Sequence, residues 1–174
     1  MVSEWLVSHA SRIPKGARVL DVASGAGRHA IYLAAHGYAV HAVDRSAEAL
    51  AALAAIARDQ KLPITTEVLD LESPSVAFPR AAFGGVIGFN YLHRPLFPAL
   101  RVAVAPGGVL IYETFTRGQA ERGHPKNPAF LLNAGELSDL VQPFTIVAAR
   151  EGEFAGKSIS SIVAMRLVSD EPLP

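Results

Sequence analysis

The sequence predicts an α/β fold built on a mostly parallel sheet. Short apolar runs alternate with helical segments along most of the chain, which is typical of parallel strands joined by right-handed helical crossovers. Toward the end of the chain this alternation stops. The strands predicted over residues 144–150 and 158–167 are separated by too few residues for a helical crossover, so they are predicted to form an antiparallel hairpin.

The composition predicts one domain spanning residues 1–174. Half of the 174 residues are hydrophobic and 18% are charged, which supplies enough apolar material for a buried sheet. No apolar run approaches the about 18 residues of a membrane span, and the first residues lack a basic signal region. We therefore expect a cytoplasmic protein that does not enter a membrane.

Charge and cysteine content narrow the chemistry. The formal net charge is zero and the isoelectric point is near 7.0, which does not favour a nucleic-acid partner. The absence of cysteine excludes disulfides, thiolate metal ligands and cysteine nucleophiles. No metal is expected, and the oligomeric state stays open.

The first half of the chain contains the most regular alternation. A short helix is predicted over residues 3–11, and a turn follows it. Gly37 is placed as the C-cap of the helix after the first strand, and Ser46 as the N-cap of an alanine-rich helix that ends near Asp59. The predicted strands of this half span residues 17–22, 38–43, 64–68 and 83–89.

The second half begins with a helix over residues 95–104 and a turn over residues 105–108, which opens a strand over residues 109–115. A polar stretch follows. Asn133 then begins a short helix, and Glu136 is placed for a capping-box contact. The hairpin completes the chain.

A glycine-containing loop between the first strand and its helix is the most informative segment. Residues 21–30 read Asp-Val-Ala-Ser-Gly-Ala-Gly-Arg-His-Ala. Gly25 and Gly27 allow the backbone to approach a ligand, and the helix N-terminus offers free N–H groups. The same glycines with Ala30 also satisfy the loose dinucleotide fingerprint, so the loop alone leaves NAD(P) open.

Three carboxylates follow three successive strands. Asp21 would repel a pyrophosphate but suits the ammonium group of methionine. Asp44 is placed for ribose hydroxyls, a role that serves NAD equally well, and Asp70 for the adenine amino group. No cluster of arginine or lysine accompanies them, which favours a cationic, phosphate-free adenosine ligand. Structural roles in turns or against a helix remain the alternatives for all three.

Four segments together resemble class I S-adenosylmethionine-dependent methyltransferases. Residues 19–28 resemble the first motif of that family, residues 44–46 its ribose-binding position, and residues 70–72 its adenine-side motif. The Pro-Gly-Gly turn within residues 105–110 is the most specific, because dinucleotide enzymes have no such turn there. The run over residues 27–30 is similar to the small tellurite-resistance-like methyltransferases.

The resemblance implies a Rossmann-like three-layer sandwich with a seven-stranded sheet in the order 3-2-1-4-5-7-6, strand 7 antiparallel. It also implies S-adenosyl-L-methionine as cofactor. The family's first motif has glycine where this chain has Ala23, and alanine is tolerable there if φ is negative. Gly84 stands where the family often carries aspartate. The cofactor-binding residues that the resemblance implies are Asp21, Ala23, Gly25, Gly27, Asp44, Arg45, Asp70, Leu71 and Asn90.

The acceptor is expected beyond the fourth and fifth strands, because open α/β sheets bind ligands at the carboxyl ends of their strands. Methyl transfer needs mainly proximity and alignment. His93 is the candidate general base for an acceptor that must lose a proton, and Glu113 is placed to orient a substrate or to pair with Arg94. Packing and surface roles remain alternatives for Tyr91 and His93. The predicted catalytic residues are His93, Tyr91 and Glu113.

The polar segment over residues 116–130 is long for a connection inside a compact domain, so it is predicted to be a lid. Its basic character favours an anionic acceptor, with Arg94, Arg117 and His124 as substrate-binding residues; a solvated surface loop is the alternative. The sequence thus predicts methyl transfer to a small-molecule or oxyanion acceptor. A methyltransferase acting on RNA or protein, a non-catalytic adenosine-cofactor module and an NAD(P)-dependent oxidoreductase are the rivals.

Overall fold

A seven-stranded sheet organises the computed structural model, which describes residues 1–168. The strand order is β3-β2-β1-β4-β5-β7-β6, and β7 runs antiparallel to both of its neighbours. The predicted fold class and strand order are therefore confirmed. The strands are β1 (Arg18–Val22), β2 (Ala39–Asp44), β3 (Ile64–Val68), β4 (Phe83–Phe89), β5 (Val104–Phe115), β6 (Thr145–Phe154) and β7 (Lys157–Met165).

Helices cover both faces of the sheet and bury one apolar core on each. Leu6, Leu33 and Leu53 bring the first three helices onto one face, and Leu100 and Leu137 bring the last two onto the other. Within the described residues, no helix is long and apolar enough to cross a membrane. The helices are α1 (Glu4–His9), α2 (Arg28–Ala35), α3 (Ala47–Asp59), α4 (Phe97–Ala103) and α5 (Glu136–Leu140).

The predicted caps agree with the observed helix ends in the first half of the chain. The Ser46 hydroxyl accepts a hydrogen bond from the Ala49 N–H at 3.2 Å, which satisfies a donor that the first turn leaves free. Gly37 follows α2 with φ of 90°, the left-handed conformation in which glycine avoids the Cβ penalty.

Two predicted boundaries in the second half are wrong. The turn predicted over residues 105–108 lies within β5, because Val104 already pairs with Phe83 and the Gly107 N–H donates to the Arg166 carbonyl. Helix α5 begins at Glu136, after Gly135 in the left-handed conformation, and not at Asn133. The predicted capping contact still forms, since the Asn133 N–H donates to the Glu136 carboxylate at 2.7 Å.

Both departures from the family pattern have structural consequences. A Cβ at Gly84 would lie 2.4 Å from the Ala17 Cβ, so the packing of the segment before β1 favours glycine at this position. Ala23 has φ of 53°. The condition of negative φ is therefore not met, and alanine is strained there by about 1–2 kcal/mol.

Candidate active site

A cavity of about 360 Å³ opens at the carboxyl ends of the parallel strands. It brings together seven of the predicted residues: Ala23, Asp44, Arg45, Asp70, Leu71, Asn90 and Tyr91. The other residues that line it are Leu69, Glu72, Leu92, Phe115, Pro125 and Phe130. One wall is therefore built by the ends of the first three strands, and the facing wall by the ends of β4 and β5 with the 116–130 loop.

The loop after β1 is held against the end of β2. Gly25 and Gly27 both adopt left-handed conformations, and a Cβ at Gly27 would lie 2.4 Å from the Leu53 side chain of α3. The Gly25 N–H donates to Asp44 Oδ2 at 2.8 Å, and the Ser46 N–H donates to Asp44 Oδ1 at 2.8 Å. These two bonds fix the carboxylate at the cavity wall, and each oxygen keeps a further lone pair for a ligand hydroxyl.

Asp21 lies beneath this loop, outside the cavity lining. It is almost completely buried, and its Oδ2 has no hydrogen-bond partner among the described residues. Burial raises its pKa to about 7, while Arg28 and a hydrogen bond from the Ala30 backbone oppose the rise. A buried oxygen without a donor is costly unless a ligand supplies one.

Asp70 and Tyr91 both border the cavity. Asp70 Oδ1 accepts the Glu72 N–H at 3.1 Å, so this carboxylate stabilises its own turn and also borders the cavity. Burial and the nearby carboxylates of Glu72 and Asp70 raise the pKa of Tyr91 to about 12. The phenol therefore stays protonated near neutral pH and is a hydrogen-bond donor there.

A sharp turn after β4 directs Asn90 and Tyr91 toward the cavity. Asn90 has φ of 57°, and its N–H donates to the Glu113 carbonyl at 2.9 Å. The hydroxyl of Tyr112 donates to the Tyr91 carbonyl at 3.0 Å. The Tyr112 ring occupies the space beside Gly88, where a Cβ would lie 2.2 Å from Cε2. Glycine at this position is therefore what lets β5 hold the turn.

Glu113 is engaged on both carboxylate oxygens and lies outside the cavity lining. Its Oε1 accepts the Ser3 hydroxyl at 2.8 Å, and its Oε2 accepts the Ser161 hydroxyl at 2.7 Å and Arg150 at 3.2 Å. The carboxylate thereby joins the N-terminal end of α1 to β6 and β7. The alternative that Glu113 pairs with Arg94 is wrong.

Arg94 instead fixes the loop that forms the second wall. Its guanidinium donates to Glu136 and also to the carbonyls of Ala129 at 2.9 Å and Leu131 at 3.0 Å. These two carbonyls flank Phe130, which lines the cavity. The guanidinium lowers the pKa of Glu136 to about 2, so the pair is charged at all ordinary pH values.

The remaining predicted acceptor residues point to other partners or to solvent. Arg117 donates to Asn133 Oδ1 at 2.6 Å. The His124 carbonyl accepts a hydrogen bond from Gln119 at 3.1 Å, and the His124 side chain is exposed. His93 precedes a short 3-10 turn after β4. None of Arg117, His124 and His93 is among the described residues that line the cavity.

A sequence model described as a methyltransferase domain matches residues 19–108, which is more than half of the chain. The chain belongs to this methyltransferase domain family. The predicted resemblance to S-adenosylmethionine-dependent methyltransferases is confirmed, and with it the predicted cofactor and enzyme class. No curated protein matches the sequence.

Solved structures of methyltransferases share the fold at low sequence identity. TehB from Haemophilus influenzae superposes with a TM-score of 0.80 at 18% identity, covering 95% of this chain and 62% of TehB. An S-adenosylmethionine-dependent methyltransferase from Mesorhizobium loti superposes with a TM-score of 0.74 at 17% identity, covering 92% of this chain and 96% of that protein. A phosphoethanolamine N-methyltransferase from Haemonchus contortus, in complex with S-adenosyl-L-methionine, superposes with a TM-score of 0.73 at 15% identity. The match covers 92% of this chain and 52% of that protein. This chain thus spans less than two thirds of TehB.

The methyltransferase domain has polar groups that fit its cofactor. The free Oδ2 of Asp21 suits an ammonium group, Asp44 suits ribose hydroxyls, and Asp70 suits an exocyclic amino group. Arg45 is the only arginine or lysine among the described lining residues, which agrees with an adenosine ligand that carries no phosphate.

Sequence reasoning missed the apolar side of the cavity. Phe115 is the last residue of the predicted fifth strand, where ligands of open α/β sheets bind, but it is not among the predicted site residues. Pro125 and Phe130 carry no local signal, because they reach the cavity only when the end of the 116–130 loop is bound to Arg94 and to the end of β5. Glu72 lies in the motif over residues 70–72 and lines the cavity, but it is not among the predicted site residues.

Proposed function

We propose that this methyltransferase transfers the methyl group of S-adenosylmethionine to a small-molecule acceptor. The acceptor enters between the end of β4 and the 116–130 loop. The observation that carries this proposal is the cavity with two unlike walls. The acidic wall formed by Asp44 and Asp70 suits the cofactor, and the facing aromatic wall, with Phe115 and Phe130, remains for a second molecule.

The reaction needs alignment more than acid–base chemistry. When bound, the cofactor supplies an electrophilic methyl group on its sulfonium. The chain orients the reactants, because the turn at Asn90 and the loop clamped by Arg94 set the two sides of the cavity. Such positioning supplies a large part of the rate enhancement in two-reactant steps. The protonated Tyr91 hydroxyl is available to donate to a polar atom of either reactant.

Proton removal is required only for acceptors that lose a proton on methylation. His93 remains the predicted general base for that case. Since its ring lies outside the cavity lining, the role requires a bridging water or a movement of the segment after β4. Glu113 is inferred to position the end of β5, because its carboxylate already accepts hydrogen bonds from three side chains.

Thermal unfolding with S-adenosylhomocysteine, NAD and NADP at matched concentrations tests the proposal. At about 100 times its Kd, a ligand stabilises the folded state by about 2.7 kcal/mol, which is a rise of about 5–10 °C for a chain of this size. We expect this rise with S-adenosylhomocysteine alone. A shift with NAD, or none with S-adenosylhomocysteine, would contradict the proposal.

Two aspartate variants locate the binding. Asp44→Asn removes the charge at the cavity wall, whereas Asp59→Asn removes one from the exposed end of α3. Titration calorimetry should show that Asp44→Asn weakens S-adenosylhomocysteine binding by about tenfold or more, and that Asp59→Asn does not. Turnover is then measured as the formation of S-adenosylhomocysteine from S-adenosylmethionine in the presence of a panel of small acceptors. Cofactor binding without turnover on any acceptor would favour a non-catalytic module.

A further inference from the structure

The cations that the sequence offers for an anionic acceptor are engaged away from the cavity. Arg94 donates to Glu136 and to two loop carbonyls, Arg117 donates to Asn133, and Arg122 pairs with Glu153. Among the lining residues of the described chain, none of these arginines is present. These three arginines therefore hold the 116–130 loop in place, and the exposed His124 and Lys126 of the loop lie outside the described lining.

The charges that do line the cavity are mainly negative. Asp44, Asp70 and Glu72 border it, and Arg45 is the single positive side chain among the described lining residues. Arg45 lies beside Asp44 on the wall assigned to the cofactor, so an anion at the facing wall would lose its water without a guanidinium to replace it. Electrostatics in this cavity therefore disfavours an oxyanion or a carboxylate-bearing acceptor.

The face that the loop presents to the cavity is apolar. Phe115, Pro125 and Phe130 lie on it, and Tyr91 and Leu92 continue it from the end of β4. Phe130 remains 46% exposed although it is large and hydrophobic. An aromatic side chain left open on a cavity wall is stabilised by covering it with apolar surface.

Arg94 sets the position of that aromatic ring. Its guanidinium holds the carbonyls on both sides of Phe130, and Glu136 fixes the guanidinium in turn. Bonds to the residues before and after it restrict the backbone of Phe130 directly. Arg94 is thus a positioning residue for the apolar wall, and its charge is satisfied before any acceptor arrives.

We propose that the acceptor of this methyltransferase is a small molecule with an apolar, ring-sized body and no negative charge, and that Phe130 determines this selectivity. The inference rests on the proposed function, because it takes the acidic wall to be the cofactor's. It replaces the anionic acceptor expected from loop composition, since that expectation depended on arginines that the fold uses elsewhere.

The test compares two probes of nearly equal size, neutral benzyl alcohol and anionic benzoate, with tellurite as the oxyanion. Binding is measured by ligand-observed NMR titration on protein saturated with S-adenosylhomocysteine. We expect benzyl alcohol to bind about tenfold more tightly than benzoate, and tellurite not to compete with it. Tighter binding of benzoate, displacement by tellurite, or no binding of benzyl alcohol to the loaded protein would overturn the proposal.

Variants connect the selectivity to Phe130. Phe130→Ala should weaken benzyl alcohol binding by about fivefold or more, and Phe130→Leu should retain most of it. Ile146→Ala removes another exposed apolar side chain, on β6 and outside the cavity, and should change nothing. Equal binding in Phe130→Ala and wild type would refute the role of Phe130. The affinity for S-adenosylhomocysteine is measured in every variant. If wild-type protein does not bind S-adenosylhomocysteine, the proposed function is overturned instead.

Discussion

Replacing Arg94 by methionine tests the clamp on the 116–130 loop most directly. The substitution keeps a long apolar stem but removes the guanidinium, which donates to the Glu136 carboxylate and to the carbonyls of Ala129 and Leu131. Glu136 keeps the hydrogen bonds from the Asn133 backbone and side chain at 2.7 and 3.0 Å. The loss of the Arg94 hydrogen bonds is therefore the main cause of the destabilisation, because the Glu136 carboxylate keeps other hydrogen-bond donors.

Two features of the structure set the magnitude. The pKa of Glu136 falls from its ordinary 4.5 to about 2, first because of the Arg94 hydrogen bonds, and a drop of this size corresponds to about 3 kcal/mol. The Arg94 and Glu136 side chains are 33% and 18% exposed, so solvent screening reduces this value. We expect Arg94→Met to lower the free energy of unfolding by about 1.5–3 kcal/mol at pH 7.

The pH dependence has a definite sign. The pKa of Glu136 is lower in the folded protein than its ordinary value, so the pair stabilises the fold above about pH 4.5 and this contribution is lost as pH falls toward 2. The difference between wild type and Arg94→Met should therefore be full at pH 7 and smaller at pH 3.

Urea denaturation at both pH values measures this difference. Arg122→Met is the matched control, because it removes an arginine from the 116–130 loop itself whose pair with Glu153 is more exposed, and it should cost less than about 1 kcal/mol. Equal costs for the two variants, or a cost of Arg94→Met that is unchanged at pH 3, would refute the assignment of Arg94 as the loop clamp.

Three further predictions concern the cavity and its support. Gly88→Ala places a Cβ 2.2 Å from the Tyr112 ring, so it should destabilise the fold by about 2–4 kcal/mol in urea denaturation; a change below about 0.5 kcal/mol would mean that the ring is free to move. Asp21 has its pKa raised by burial to about 7, so its own contribution to the free energy of unfolding falls as pH rises from about 4 to 7. Asp21→Asn should remove this loss, becoming more stable than wild type at pH 7.5 but not at pH 4, while S-adenosylhomocysteine binding weakens in calorimetry; parallel pH profiles would contradict it. His93→Gln should lower kcat for acceptors that lose a proton and leave kcat for other acceptors unaffected, and an unchanged kcat for both kinds would exclude His93 as the base.

Local patterns along the chain were enough to predict the sheet and several residues that line one wall of the cavity. Buried parallel strands appear as short apolar runs, and the side chains that follow successive strands meet at one sheet edge whatever the details of packing. Asp44, Asp70 and Asn90 reach the cavity for that reason. The short connection between the last two strands likewise required an antiparallel hairpin, which the strand order confirms.

The tertiary structure decided everything that depends on pairs of residues far apart in the chain. Arg94 lies 42 residues from Glu136, and Glu113 lies 110 residues from Ser3, so no local pattern reveals that these charges are already satisfied. Residue type alone made the 116–130 loop basic. In the folded chain, Arg117 and Arg122 of this loop contact Asn133 and Glu153. Phe130 reaches the cavity because hydrogen bonds to the carbonyls on either side of it fix its backbone. The sequence by itself thus determined the cofactor, through motifs that follow strands, while the apolar character of the wall with Phe115 and Phe130 arose only from long-range contacts.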